Sequence, residues 1–149
     1  MKTLVEKLRE ITQGFGWVFH YGRQDFQNLV EADAEDDQKW YFFLDPVTRN
    51  PLYSDSGLPT GEIEYTGYFM ILTKSDLDQV YDGQNNTDIK EGKWREHIKP
   101  KLDNVFGEFE NALTCVHDLQ IVRLSITDAI NIFDENLDGI LVNFKIKQY

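Results

Sequence analysis

The nearest approach to a chemical motif in this chain is Asp134-Glu135-Asn136-Leu137-Asp138-Gly139. It sets oxygen ligands at the first, third and fifth positions of a calcium loop and glycine at the sixth. The twelfth position of such a loop must supply a bidentate carboxylate, and here it is Lys145. The residues Ile140–Ile146 also read as a strand where the exiting helix should be. A tight Asp-Gly hairpin turn is therefore the preferred reading. Cys115 and His117, with His97, are the remaining metal-ligand types that spacing could unite. Zinc needs three or four converging ligands, and positions 97 and 117 fall several turns apart on one expected helix. Cys115 reads as a small packed residue, and His117 as a cation at a helix C-terminus. Gly14-Phe15-Gly16 follows a helix and precedes a strand, the reverse of the order that a phosphate loop requires. No catalytic acid, base or nucleophile is assigned, no cofactor is expected, and the chain does not read as an enzyme.

Charge is more informative than any motif. The 149 residues carry 15 Lys+Arg and 26 Asp+Glu, a formal net charge of −11. Such a chain repels phosphate backbones and anionic lipid, so broad nucleic-acid or membrane-surface binding is disfavoured. The charge is also uneven. Glu31, Asp33, Glu35, Asp36 and Asp37 lie within seven residues, whereas Lys90, Lys93, Arg95, Lys99 and Lys101 face only Glu91 and Glu96, a local balance of +3. An acidic loop of one subunit meeting a basic helix start on the next would use this asymmetry. Two unrelated solvated surfaces would show it equally.

The elements that must carry these residues follow from periodicity. Thr3 and Glu6 form a capping box before Leu4, Val5, Leu8 and Ile11, so a first helix is predicted over 3–13. Phe15 to Tyr21 alternate as an aromatic strand. Lys39–Asp45 is apolar on both alternating faces, the mark of a central strand covered above and below, and Pro46 ends it. Residues 45–61 hold three of the four prolines and read as a 17-residue loop, of the length that commonly serves as an arm or lid. Val47, Leu52, Tyr53 and Leu58 sit in it among turn formers and are the apolar candidates for a subunit interface. Glu62–Thr73 is a long strand, and 74–92 a second polar connection with at most one helical turn. Trp94, Ile98, Leu102, Val105, Phe109, Ala112 and Val116 recur at alternating threes and fours, predicting one long helix over about 93–117. Pro100 kinks it or marks its start. Strands over Leu119–Thr127, Ala129–Phe133 and Gly139–Lys147 close the chain, with a hairpin turn at Asp138-Gly139.

The expected fold is a single α+β domain, a mixed and mainly antiparallel sheet of five or six strands with a short and a long helix on one face. The longest apolar runs, Trp40–Leu44 and Tyr68–Leu72, are far below the roughly 20 residues that a membrane-spanning helix needs. The N-terminus carries charge every two or three residues, so no export signal is expected.

In its order of elements the chain resembles the small neck and tail-completion proteins of tailed bacteriophages, including the tail-terminator type. The likeness is carried by the capped helix Thr3–Gln13, the aromatic strand Phe15–Tyr21, the strand-loop-strand unit Trp40–Leu72, the long helix ending near His117, and the closing pair Ile126–Phe133 and Asn136–Ile146. The Asn136-Leu137-Asp138-Gly139 segment is most similar to versions from phages of Bacteroidetes hosts. The stretch 74–92 is longer than in the simplest members. The resemblance implies a structural virion protein assembled in the host cytoplasm. It implies a homo-oligomeric ring of six- or twelve-fold symmetry at the head-to-tail connection. Its partners would be further copies of itself and neighbouring neck, portal or tail proteins, with genomic DNA passing through without specific binding. Two other classes remain open on the residues alone. One is an acidic cytosolic adaptor or immunity-type protein that masks a basic partner through Glu31–Asp37. The other is an enzyme or small-ligand binder with an aromatic pocket of Trp17, Phe19, Trp40 and Tyr65.

Overall fold

The computed structural model describes residues 2–22, 40–74, 99–132 and 137–149. Its elements run α1 (Leu4–Gly14), β1 (Val18–Tyr21), β2 (Trp40–Leu44), β3 (Thr48–Tyr53), β4 (Pro59–Lys74), α2 (Lys99–Thr114), β5 (Leu119–Ile132) and β6 (Leu137–Gln148). The fold is α+β, with two helices packed on a mixed, mostly antiparallel sheet of six strands.

Helix α1 begins where its capping box dictates. The Thr3 side chain accepts from the Glu6 amide at 3.3 Å, and the Glu6 carboxylate accepts from the Thr3 amide at 2.7 Å, so two otherwise orphaned donors are satisfied. Leu4, Leu8 and Thr12 recur every four residues and are buried. The Thr12 hydroxyl donates to the Arg9 carbonyl, which removes the cost of burying it. Past Phe15 the chain reverses at Gly16, whose φ of +79° disfavours any side chain.

The sheet order is β1-β2-β4-β6-β5, with β3 also paired to β4. Strand β1 lies parallel to β2, and every other pairing is antiparallel. The core forms between the sheet and the helices. Phe42 and Phe69 stack with ring centroids 4.7 Å apart, and Phe109 of α2 packs on both at 5.4 and 5.3 Å. Alternation places Phe42 and Leu44 on this side of β2 and Tyr41 and Phe43 on the other, in a second buried cluster with Met70, Leu72, Ala129 and Leu137. The expectation that β2 is covered on both faces is met.

Several boundaries differ from the sequence reading. The aromatic strand is shorter than Phe15–Tyr21, because Phe15 caps α1 and the ladder starts at Val18. Helix α2 is described over Lys99–Thr114, with Pro100 in its first turn, where a missing amide costs nothing. Residues 93–98 lie outside the described residues, as does the expected helical turn within 75–81. Cys115 and His117 follow the helix and do not belong to it.

Asp138 and Gly139 are not a turn. They are the second and third residues of β6, and the β5–β6 connection is 133–136, outside the described residues. Gly139 is required for another reason. It lies opposite Leu72, and a Cβ there would sit 1.9 Å from the Ile71 carbonyl oxygen.

The largest difference is at 45–61, which is not a loop. Residues 48–53 form β3 and 59–61 begin β4, so the segment is an antiparallel hairpin. Its prolines are tolerated because β3 is bonded on one side alone among the described residues, and an edge strand needs no outward amide from Pro51.

Candidate functional site

Strand β4 has two neighbours along the same side. Its C-terminal half pairs with β2 and its N-terminal half with β3. β2 and β3 are thus successive parts of one bent strand, joined by Asp45-Pro46-Val47. On the other side of β4, the ladder with β6 ends at Ile63 opposite Gln148. Residues 59–62 of β4 run beyond it, so the hairpin projects past the β6 end by roughly 13 Å at about 3.3 Å per residue.

This arm is held at both ends. At the base, the buried Asp45 donates its amide to the Tyr68 carbonyl at 3.2 Å. Its carboxylate accepts from the Tyr68 hydroxyl, which raises the Tyr68 pKa above its ordinary value. Val47 packs against the main core. At the tip, the Ser54 amide donates to the Leu58 carbonyl and the Gly57 amide to the Ser54 carbonyl, each at 2.8 Å. The Ser54 hydroxyl accepts from the Leu58 amide at 3.2 Å, and the Thr60 hydroxyl donates to the Leu52 carbonyl at 2.9 Å. Gly57 and Gly61 take φ of +80° and +82°, at the turn and at the register slip beside Leu52. These hydrogen bonds close the turn at the tip of the hairpin.

Of the four apolar interface candidates, the structure separates two pairs. Val47 is partly buried and packs against the main core. Leu52 is half-buried. Tyr53 and Leu58 are 61% and 65% exposed at the tip. Two large apolar side chains are thus displayed together at the end of the projecting hairpin.

Glu31, Asp33, Glu35, Asp36, Asp37, Lys90, Lys93 and Arg95 lie outside the described residues. Lys99 and Lys101 are placed on the first turn of α2 by their backbone. Asp134, Asn136 and His97 also lie outside the described residues, while Asp138 is buried within a strand. No cluster of three metal-ligating side chains occurs among the described residues. The aromatics proposed for a pocket fill the interior instead. Trp17 and Tyr65 are buried in the main core, and Phe19 and Trp40 pack against it.

Sequence reasoning missed a second exposed apolar set, Val122 and Ile126 on β5, each half exposed. Val122 is the extra residue at a register slip between Ile121 and Arg123, and Ile126 lies on an edge strand.

The chain matches no protein-family model and no curated protein. No helix among the described residues is long and apolar enough to cross a membrane.

Proposed function

We propose that the chain is a structural protein that assembles with copies of itself into a ring at the neck or tail of a tailed phage. The observation that carries this reading is the β3–β4 arm. It is stiffened by its own hydrogen bonds, anchored through Asp45 and Val47, and tipped by exposed Tyr53 and Leu58. A projecting apolar tip is of little use to a monomer and suits a head-to-tail contact that closes into a ring. The net charge of −11 fits a channel through which DNA passes without adhering, since few phosphate contacts would form. Within such a virion, neighbouring neck, portal or tail proteins would meet the two ends of the ring.

The test is the mass of the full chain by light scattering across protein concentration and salt, with electron microscopy of any large species. The proposal expects closed rings, and expects the Tyr53→Ser/Leu58→Ser double variant to stay folded and lose them. A strict monomer that captures a basic partner in a steeply salt-dependent way would overturn it in favour of the acidic adaptor.

A further inference from the structure

We infer that the arm of one copy pairs in antiparallel fashion along the β5 edge of the next, with Arg49 set opposite Asp128, so that successive sheets join edge to edge. This rests on the self-assembly reading above and names the surface that receives the arm.

Among the described residues both partners are open edges. β3 is bonded only to β4, and β5 only to β6, among the described residues. β5 is 14 residues long and holds neither Lys nor Pro, residues that blunt an edge against pairing; β3 carries Pro51, so the pairing forgoes the ladder bond that its amide would give.

The strand directions agree. β3 and β6 are both antiparallel to β4, and β5 is antiparallel to β6, so β3 and β5 point in opposite directions within one sheet. Rotation about an axis along the strands brings β3 of one copy beside β5 of another without turning the sheet over. The pair is then antiparallel, and because the two edges differ, repetition can close a ring.

The faces restrict the register. Leu124, Ile126 and Asp128 oppose Phe144, Val142 and Ile140 on the helix-bearing face, and Arg49 and Pro51 oppose Tyr65 and Ile63 on that same face. Opposed residues must share a face, which leaves only alternate registers. One of these sets Arg49 against Asp128, Asn50 against Thr127 and Pro51 against the half-exposed Ile126. Arg49 and Asp128 are exposed and neither has an ion-pair partner among the described residues. In this register the tip with Tyr53 and Leu58 runs toward exposed Val122, so both apolar sets are covered together.

The experiment uses the full chain with the exposed Cys115 replaced, Cys115→Ser. Asn50→Cys and Thr127→Cys are placed on separate chains, mixed and oxidised. Pairing expects a dimer between the two variants and little from either alone. In parallel, Arg49→Asp and Asp128→Arg are each expected to raise the concentration for half-assembly about five- to tenfold. The combined variant is expected to restore it. Rings that form while the cysteines stay unlinked and the reversals have no effect would overturn the pairing and leave the ring reading standing. Absence of any oligomer or cross-link up to millimolar chain would overturn both.

Discussion

The hydroxyl of Tyr65 donates to Oε1 of Gln148 at 3.0 Å, joining β4 to the last residue of β6 inside the protein. The Gln148 amide in turn donates to the Lys2 carbonyl at 2.9 Å and to Asp118 Oδ2 at 3.2 Å. One buried side chain thereby ties the approach to α1, the approach to β5 and the middle of the sheet. Tyr65→Phe would leave Oε1 of Gln148 buried without this donor, at a cost of about 1–3 kcal/mol. Gln148→Leu would strip a partner from Tyr65, Lys2 and Asp118 at once and should cost more. Urea unfolding checks both, with the midpoint falling in that order and the slope unchanged.

Gly139 and Gly107 should respond to alanine in opposite directions. At Gly139 a Cβ would collide with backbone, 1.9 Å from the Ile71 carbonyl oxygen, and neither strand can move without breaking its ladder. Gly139→Ala should cost about 3 kcal/mol or more, or prevent folding. Gly107 lies inside α2 with nothing within 4 Å of the added atom. Gly107→Ala should stabilise by about 0.5–1 kcal/mol through helix propensity. Thermal midpoints of the two variants decide the matter.

The Lys7–Asp118 ion pair should make part of the protein's stability sensitive to acid. Lys7 Nζ lies 2.8 Å from Asp118 Oδ1, and this ammonium, followed by the Gln148 amide, holds the Asp118 carboxyl below its ordinary 3.8. A carboxyl whose folded pKa is depressed adds stability that is complete above the unfolded value and lost as pH falls through the folded one. Asp118→Asn should therefore be less stable than the natural chain at pH 7, with the gap closing below about pH 4. A gap that stays constant between pH 7 and pH 3 would show that the pair does not confer this sensitivity.

Where local chemistry and burial agree, the sequence was a reliable guide. Thr3 and Glu6 announced α1, and the two-sided apolarity of Tyr41–Leu44 announced a covered strand. The arm was hidden because Pro46, Pro51, Pro59 and Gly57 signal loop, and only the pairing with residues of β4 makes β3 a strand. Asp138-Gly139 misled for a related reason. The pair favours a turn locally, but Gly139 is demanded by the backbone of Ile71 far away in sequence. The exposure of Val122 and Ile126 depends on β5 being an edge and on its register slip, and neither is encoded in a window of neighbouring residues. Tyr53 and Leu58 were thus singled out by the sequence and are exposed, whereas the exposed Val122 and Ile126 were not singled out.

The arm should separate stability from assembly in a single hairpin. Val47 packs on the core beside Gly67 and Phe144, so Val47→Ala should lower stability by about 1 kcal/mol. Tyr53 is 61% exposed and contributes little to the fold, so Tyr53→Ser should change stability by no more than about 0.5 kcal/mol. Assembly should show the reverse order. Tyr53→Ser removes the aromatic surface at the tip and should weaken association, while Val47→Ala keeps the exposed surface intact. Unfolding midpoints and light-scattering mass, measured on the same preparations, test the two effects together. A Tyr53→Ser variant that unfolds earlier but assembles normally would make the tip part of the fold and remove the arm as the contact between copies.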